Sequence, residues 1–278
     1  MKKKFKFAKL INTVWVTAIG ILFLLPLLWM LSSSLKLGQE VFTSGKFQWI
    51  PDEPQWVNYV RVWTYEIIPF WKVYVNSLKV SILGVVGLLI VSSLAAYAFA
   101  KINFKGKNLF FAALLTTMMI PGQALLIPRF MLVKAIGLYD NHWSLIVMSW
   151  FGVSSVFLLR QFYMGIPSDL IEAAKLDGAS HFQIWLRIMQ PLTKSVMVTV
   201  TVLQFVGAWN EYLNALIFLP SQKNYLISQA IQYWLTMADQ EYHYMMAAAS
   251  SAIIPIIIMY FMMQKYIVEG VAHQGLKG

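Results

Sequence analysis

Apolar positions in this chain gather into long uninterrupted blocks instead of alternating with polar ones. Leu10 to Leu35 holds no charged residue, and neither does Val80 to Ala100 nor Asn108 to Pro128. A bilayer core about 30 Å thick needs roughly 20 consecutive apolar residues in a helix, so each of these blocks is long enough to cross one. The pattern predicts six helical spans, near Asn12–Leu31, Val73–Ala100, Asn108–Leu132, Trp143–Tyr163, Thr193–Leu219 and Met245–Tyr266. A helix satisfies its backbone groups internally, which is the condition for existing in lipid. The expected fold class is therefore an all-α integral membrane protein with six transmembrane helices, forming one transmembrane domain over residues 1–278. Pro26, Pro121 and Pro255 fall inside spans, where proline frees carbonyls and kinks a helix. Such kinks serve either helix shape or gating.

Composition agrees with the pattern: 59% of the 278 residues are hydrophobic and 12% charged, against about 25% charged in soluble domains. There is no cysteine, which excludes disulfides, thiolate metal sites and thiol catalysis. His142, His181, His243 and His273 show no ligand spacing, so no metal site is expected.

The net charge of +10 would suit nucleic acid if it were spread over one face, but its placement points to a membrane instead. Lys2, Lys3, Lys4, Lys6 and Lys9 stand directly before the first apolar block. That block is about twice as long as a signal-peptide core of 7–15 residues and no small-residue cleavage site follows it, so it reads as an uncleaved first span. With the N-terminus inside, the cytoplasmic side holds fourteen of the twenty-two basic residues and four of the twelve acidic ones. The whole net charge is then cytoplasmic, as the positive-inside rule requires. Six spans put both termini on that side.

The connecting segments differ in kind. Residues 37–72 form a long outer segment with Trp49, Pro51, Pro54, Trp56, Tyr59 and Trp63, suited to an interfacial aromatic belt or to docking an outer partner. Residues 220–244 form a second outer loop. The cytoplasmic loop between spans four and five, residues 165–191, carries the most information. Ser168 is placed to cap a short helix whose first turn holds Asp169 and Glu172, where carboxylates complement the helix dipole. Gly178 is a natural helix stop. A second amphipathic stretch sets Phe182, Trp185 and Ile188 on one face, and Pro191 is expected to end it before span five. A helical elbow of this kind either lies on the lipid surface or docks into a cytoplasmic partner.

Glu172-Ala173-Ala174, three residues, Gly178, nine residues, Ile188, one residue and Gln190-Pro191 resemble the EAA loop of ABC importer permeases, with Gln190 where leucine is usual. The resemblance implies that this is a coupling helix: Glu172 pairing with a basic residue of an ATPase subunit, Ala173 and Ala174 permitting close approach, Gly178 providing the turn. Asp177, Ile188 and Pro191 belong to the same element.

Other stretches are similar to carbohydrate-importer permeases, the second permease of the maltose-type branch, over essentially the whole chain. Trp209-Asn210-Glu211-Tyr212 resembles that branch's Trp-Asn-acidic-aromatic element. Pro121, Ile127-Pro128 and Gly137-Leu138 match its third span and outer turn. Gly275-Leu276-Lys277-Gly278 resembles its glycine-rich tail, which in that branch enters the ATPase interface.

Glu211 is a carboxylate in a membrane helix, which costs roughly 2.5–3.5 kcal/mol at mid-depth. It lines the sugar path or an outer gate with Asn210 and Asn214, or it makes a buried hydrogen bond between helices. Trp209 and Tyr212 are candidates for stacking on sugar rings, or packing residues. Arg129 and Lys134 anchor headgroups, or attract an acidic sugar such as a uronate.

The resemblance implies a non-enzymatic permease in the plasma or inner membrane of a prokaryote, forming half of a translocation pathway with a companion permease. A homodimeric or heterodimeric cytoplasmic ATPase would bind ATP and Mg, because this chain has no G-x-x-x-x-G-K-[ST] phosphate loop. An extracellular or periplasmic solute-binding protein would deliver a sugar or oligosaccharide. The rivals are the same machinery for peptides or amino acids, and an ion-coupled secondary transporter, which needs carboxylates in several spans where this chain offers Glu211.

Overall fold

A computed structural model describes the backbone of residues 2–42, 48–236 and 241–275, with side chains at Lys9 and at 11–265 within those stretches. The described residues form helices and turns, with no strand among them. Four stretches are long and apolar enough to cross a membrane: Ile11–Ser33, Phe70–Lys101, Trp143–Met164 and Tyr242–Lys265. The count rises to six if each of two bent pairs is one span.

In chain order the helices are α1 (Lys2–Ser33), α2 (Gly38–Phe42), α3 (Val57–Thr64), α4 (Phe70–Lys101), α5 (Lys107–Thr116), α6 (Leu126–Ala135), α7 (Trp143–Ser149) and α8 (Val153–Met164). There follow α9 (Asp169–Leu176), α10 (His181–Ile184), a π turn at Trp185–Met189, α11 (Gln190–Leu192), α12 (Lys194–Trp209) and α13 (Leu213–Phe218). The last are α14 (Ile227–Leu235), α15 (Tyr242–Ala252) and α16 (Ile254–Gly275).

Several stretches expected to be continuous are interrupted, each for a local reason. Between α5 and α6 the chain turns by 95° at Pro121, which has no N–H and drives Ile120 into extended backbone, φ −82° and ψ 118°. Trp143–Met164 breaks at Gly152, also extended. Asn210 to Tyr212 separate α12 from α13. Ile253 separates α15 from α16, and Pro255 then occupies the second position of α16, where a missing N–H costs nothing. Pro26 leaves α1 unbroken.

Two compact units emerge, residues 1–71 with 230–254, and residues 72–229 with 255–278. In the first, α15 packs on α1 and α3. Its polar centre is Asn58, whose Nδ2 donates to the Ser34 and Lys36 carbonyls, both at 2.9 Å. Lys36 is buried, 1% exposed. Its Nζ donates to the Gln48 carbonyl at 2.6 Å and sits 3.9 Å from the Trp29 ring centroid. Burial lowers its pKa, against the opposing pull of Glu40. The described residues of this outer segment are thus pinned by short helices and by hydrogen bonds to Ser34 and Lys36. By contrast, none of the most apolar window of Ile11–Ser33 is buried within the chain, so lipid or another subunit is its solvent.

In the second unit one apolar cluster joins α4, α8, α9, α10 and α12, built on Tyr97, Leu159, Tyr163, Ile171, Ile184, Met189 and Val200. A second cluster joins Val80, Val133, Leu145, Ile146, Phe218 and Leu226. Between α4 and α7 the approach is close. A Cβ on Gly84 would lie 2.6 Å from Ser149 Oγ, and one on Gly87 only 1.9 Å from Trp150 Nε1. The Trp150 indole fills that notch and donates to the Leu83 carbonyl at 3.2 Å.

Candidate functional site

Two features of the second unit carry the chemistry singled out in the sequence. The first is the elbow from Ser168 to Thr193. Helix α9 has Asp169 and Glu172 in its first turn and Lys175 in its last, each complementing the helix dipole. Ser168 stands at the N-cap and its carbonyl accepts from the Ile171 and Glu172 amides, but its hydroxyl makes no cap. The side-chain cap is at Ser180, where a full capping box forms: Gln183 N donates to Ser180 Oγ at 3.3 Å and Ser180 N donates to Gln183 Oε1 at 2.8 Å. Helix α9 ends in a Schellman motif. Gly178 N donates to the Lys175 carbonyl at 3.0 Å and Ala179 N to the Ala174 carbonyl at 2.9 Å. Gly178 takes φ +82°, a conformation open to glycine because it has no Cβ.

The elbow is held from behind. Ile171, Ile184, Trp185 and Met189 are buried in the cluster with Tyr97 and Tyr163. Tyr97 Oη lies 2.9 Å from His181 Nδ1 and Lys101 Nζ donates to the Ile166 carbonyl at 2.6 Å. Gln190 Nε2 donates to Tyr163 Oη at 3.4 Å, which gives the unexpected polar residue at that position a buried hydroxyl to face. In front, Glu172, Ala173, Asp177 and Gly178 are exposed, and Leu176 is 90% exposed. The two alanines differ: Ala174 is half-buried against the cluster. Along the expected face of Phe182, Trp185 and Ile188 burial is unequal: Trp185 is buried, Ile188 half-buried and Phe182 60% exposed, with the Phe182 and Trp185 ring centroids 5.3 Å apart and a π turn over Trp185–Met189. Pro191 does not end the helix either. It occupies the first turn of α11, and the break comes at Thr193, where the chain bends by 82° into α12.

The second feature is a cavity of about 660 Å³, within the range of about 300–1,000 Å³ usual for ligand sites. Its polar lining is Arg129, Ser144, Ser149, Gln204, Glu211 and Asn214, set among apolar walls that include Val133, Leu145, Phe151 and Phe218. Glu211 stands at the break between α12 and α13. Asn214 N donates to its Oε1 and Asn214 Nδ2 to its Oε2, both at 3.0 Å. Ser228 Oγ donates to the Glu211 carbonyl at 2.6 Å. Asn214 Oδ1 is buried and has no hydrogen-bond partner.

A network of turns joins the segment at 140–142 to that at 218–225. Asp140, at φ 57°, donates through its amide to the Phe218 carbonyl at 2.8 Å and accepts from Ser221 N at 3.2 Å, while Asn224 Nδ2 donates to the Asp140 carbonyl at 2.7 Å. His142 Nε2 meets the Asn224 carbonyl at 3.0 Å. Asn76 Nδ2 donates to the Lys223 and Tyr225 carbonyls, both at 3.1 Å. Burial alone would raise the Asp140 carboxyl. The hydrogen bonds from Ser221 and Asn224 and the charge of Lys223 outweigh it and hold the group below the usual value. Burial lowers the pKa of His142, aided by Lys79 and opposed by the Asn224 hydrogen bond and Asp140.

The sequence candidates separate here. Arg129, Glu211 and Asn214 line the cavity; Lys134 does not, and its Nζ lies 5.6 Å from the Phe130 and 5.8 Å from the Tyr139 ring centroids. Trp209 is buried, stacked on Phe205 at 5.6 Å and edge-on to Tyr74 at 5.4 Å. Asn210 is exposed and bonds back to the Val206 carbonyl at 3.0 Å. Tyr212 is half-buried, away from the cavity lining. Gln204, Gly207 and Ala208 were not singled out, yet with Glu211 they follow the i, i+3, i+4, i+7 spacing of one helix face. The tail residues Leu276, Lys277 and Gly278 lie outside the described residues, and of Gly275 only the backbone is described. Among the described residues no group of three or more His, Asp and Glu stands where it could hold a metal ion.

Residues 87–273 match the family described as binding-protein-dependent transport system inner membrane component. The chain belongs to that family. This transport component is 30% identical over 276 residues to the arabinooligosaccharides transport system permease protein AraQ of Bacillus subtilis, covering 99% of this chain and 98% of the relative. It is 28% identical to the galactooligosaccharides transport system permease protein GanQ of the same organism, covering 93% and 92%. Among solved structures it resembles a chain of a bacterial ABC transporter involved in import of the acidic polysaccharide alginate. There the identity is 27%, the coverage 94% of this chain and 97% of that one, and the TM-score 0.79.

Proposed function

We propose that this transport component is one transmembrane half of an ATP-driven importer that carries a sugar or oligosaccharide into the cell. Family membership and the oligosaccharide systems named for its relatives support the solute class. The observation that carries the mechanism is the elbow, braced from behind by buried contacts and bare in front. Leu176, 90% exposed on this braced helix, offers apolar surface that a partner can cover. Burying Leu176 in a cleft would return roughly 1.5–3 kcal/mol.

In this reading α9 docks into a cytoplasmic ATPase dimer, homomeric or heteromeric, which binds ATP and Mg. Glu172 and Asp177 meet basic groups there, Ala173 permits close approach, and the Gly178 turn with Ile188 and Pro191 sets the angle at which the elbow enters α12. Closing of the ATPase dimer then moves a rigid element, because Ile171 and Ile184 tie the elbow to α4 and α8. The chain itself carries out no chemistry. A companion permease completes the pathway, a solute-binding protein delivers the sugar from outside, and both termini lie in the cytoplasm, with the Gly275–Gly278 tail near the ATPase.

The test is sugar uptake by cells lacking this chain and complemented with variants at normal membrane levels. Glu172→Lys and Gly178→Pro are each expected to abolish uptake. Unchanged uptake in both variants overturns the coupling role; intact sugar uptake with lost peptide uptake in the deletion cells overturns the solute class.

A further inference from the structure

Where α4 ends, basic side chains from three helices gather around one turn of backbone. Arg160 of α8 donates through Nε to the Phe99 carbonyl at 3.2 Å, and Lys107 of α5 through Nζ to the Ala100 carbonyl at 3.3 Å. Lys101, the last residue of α4, donates through Nζ to the Ile166 carbonyl at 2.6 Å. All three side chains are half-buried, and the Arg160 guanidinium carbon stands 4.0 Å from the Phe111 ring centroid. Phe99 and Ala100 lie in the last turn of α4, where carbonyls lack a partner within the helix.

These bonds account for where the side chains point, but not for their charge. The carboxyl end of a helix is equivalent to about half an elementary negative charge, against three full positive ones. Among the described residues none of the three forms an ion pair with Asp or Glu. Lys107 repels both Lys101 and Arg160, and Lys105, exposed in the same connection, adds a fourth cation. Through these bonds each lysine commits one of its three donors and the arginine one of its five. A lysine that only marks topology runs its ammonium out to water. Here the cations are held back at the helix ends, where one anion can meet several donors.

The surface beside them is apolar. Helix α5 runs from Lys107 into its apolar block, and in its first turn Leu109 is 73% and Phe110 60% exposed. Cations at the rim with bare apolar side chains one turn deeper repeat the order of groups in a phospholipid, phosphate first and acyl chains below. A zwitterionic headgroup brings its own cation beside the phosphate and leaves the cluster uncompensated. A headgroup of net negative charge does not.

We propose that the ends of α4, α5 and α8 bind the phosphate of an anionic phospholipid in the leaflet on the elbow's side, with its acyl chains along Leu109 and Phe110. The lipid bears on the elbow through Lys101, because the Ile166 carbonyl that Lys101 holds lies just before Ser168. The proposal is independent of which solute the importer carries.

The test uses the assembled importer in phosphatidylcholine nanodiscs doped with phosphatidylglycerol carrying a photoreactive group in its upper acyl chain. Crosslinks are expected at Leu109 and Phe110, displaced by unlabelled phosphatidylglycerol but not by soluble glycerol phosphate. Phosphatidylcholine with the same group should label these residues far less. Lys101→Gln with Lys107→Gln keeps a donor at each position. It should raise the phosphatidylglycerol needed for half-maximal labelling about twenty-fivefold, at roughly fivefold per cation near the lipid surface. Lys101→Arg with Lys107→Arg should retain labelling. Lys265→Gln, at the exposed end of the Tyr242–Lys265 stretch, should not change it. Equal labelling by the two lipids overturns the proposal, as does an unchanged midpoint in the glutamine pair or an equal shift in Lys265→Gln. Displacement by glycerol phosphate overturns the lipid in favour of a soluble phosphate ester. No labelling in the assembled importer overturns it in favour of a carboxylate from a partner subunit. If the glutamine pair does not assemble, the arginine pair decides: retained labelling supports a charge-selected lipid, and lost labelling overturns it.

Discussion

At His142 the environment decides the charge. The imidazole is buried beside Lys79, and the pull of Asp140 and the Asn224 carbonyl does not offset the loss of solvation, so its pKa in the folded protein lies below the ordinary 6.5. The folded state then binds fewer protons than the unfolded one between those two values. Stability contributed by the neutral ring is complete above about pH 6.5 and is lost as pH falls through that window, by up to about 1.4 kcal/mol per pH unit. Asp140 titrates in a separate, more acidic range. Its carboxyl is held below 3.8, so its contribution is complete above that value and it stays ionised throughout the histidine window. Lowering the pH from 7 to 5 should therefore depress the melting temperature of the purified protein, and His142→Gln, which keeps a donor toward Asn224, should flatten that dependence. Equal slopes for both proteins would show that the ring does not titrate against folding.

Among the elements, the pair of α4 with the α7–α8 break shows how small residues set membrane packing. Interfaces between transmembrane helices rely on close approach at glycine, alanine and serine, since lipid gives no hydrophobic drive for association. Gly87 leaves the notch that Trp150 fills, and the indole N–H reaches the Leu83 carbonyl. Gly87→Ala must push the indole out, and overpacking of this kind costs typically about 1–3 kcal/mol. The melting temperature should drop, and Trp150→Ala in the Gly87→Ala background should cost less than the sum of the two single changes. Strict additivity would show that the two residues do not meet. The elbow works by the opposite device. Its turn is fixed by backbone hydrogen bonds at Gly178 and by the Ser180 capping box, so its exposed face can be presented to a partner without the helix fraying.

For the whole molecule, charge placement sets orientation. Fourteen of the basic residues fall in segments assigned to one side if the spans alternate, and the membrane reads such asymmetry when the chain inserts. Reporter fusions at the C-terminus should accordingly report a cytoplasmic location, and fusions at residue 222, between α13 and α14, an external one. The reverse pattern at either site would require a different number of crossings. The exposed apolar surface of α1 belongs to this scale as well, since only lipid or a second membrane subunit can solvate it.

The amino-acid sequence determined the class of solvent, the helical fold and the elbow. Apolar blocks such as Val80 to Ala100 admit no other structure in a bilayer, and Glu172-Ala173-Ala174 with Gly178 carries backbone demands that are local. What the sequence could not disclose depends on through-space neighbours. Ser168 and Ser180 are equally good caps by composition, and the fold uses the side chain of Ser180 alone. Trp209 and Glu211 are two residues apart in one motif, yet the break after α12 buries the indole against Phe205 and Tyr74 and turns the carboxylate to the cavity. Arg129 joins Glu211 across eighty residues of sequence, while Lys134, close to Arg129 in the chain, lies among aromatic rings outside it. Periodicity records which face of a helix is apolar; which polar groups share one cavity is settled only when the helices pack.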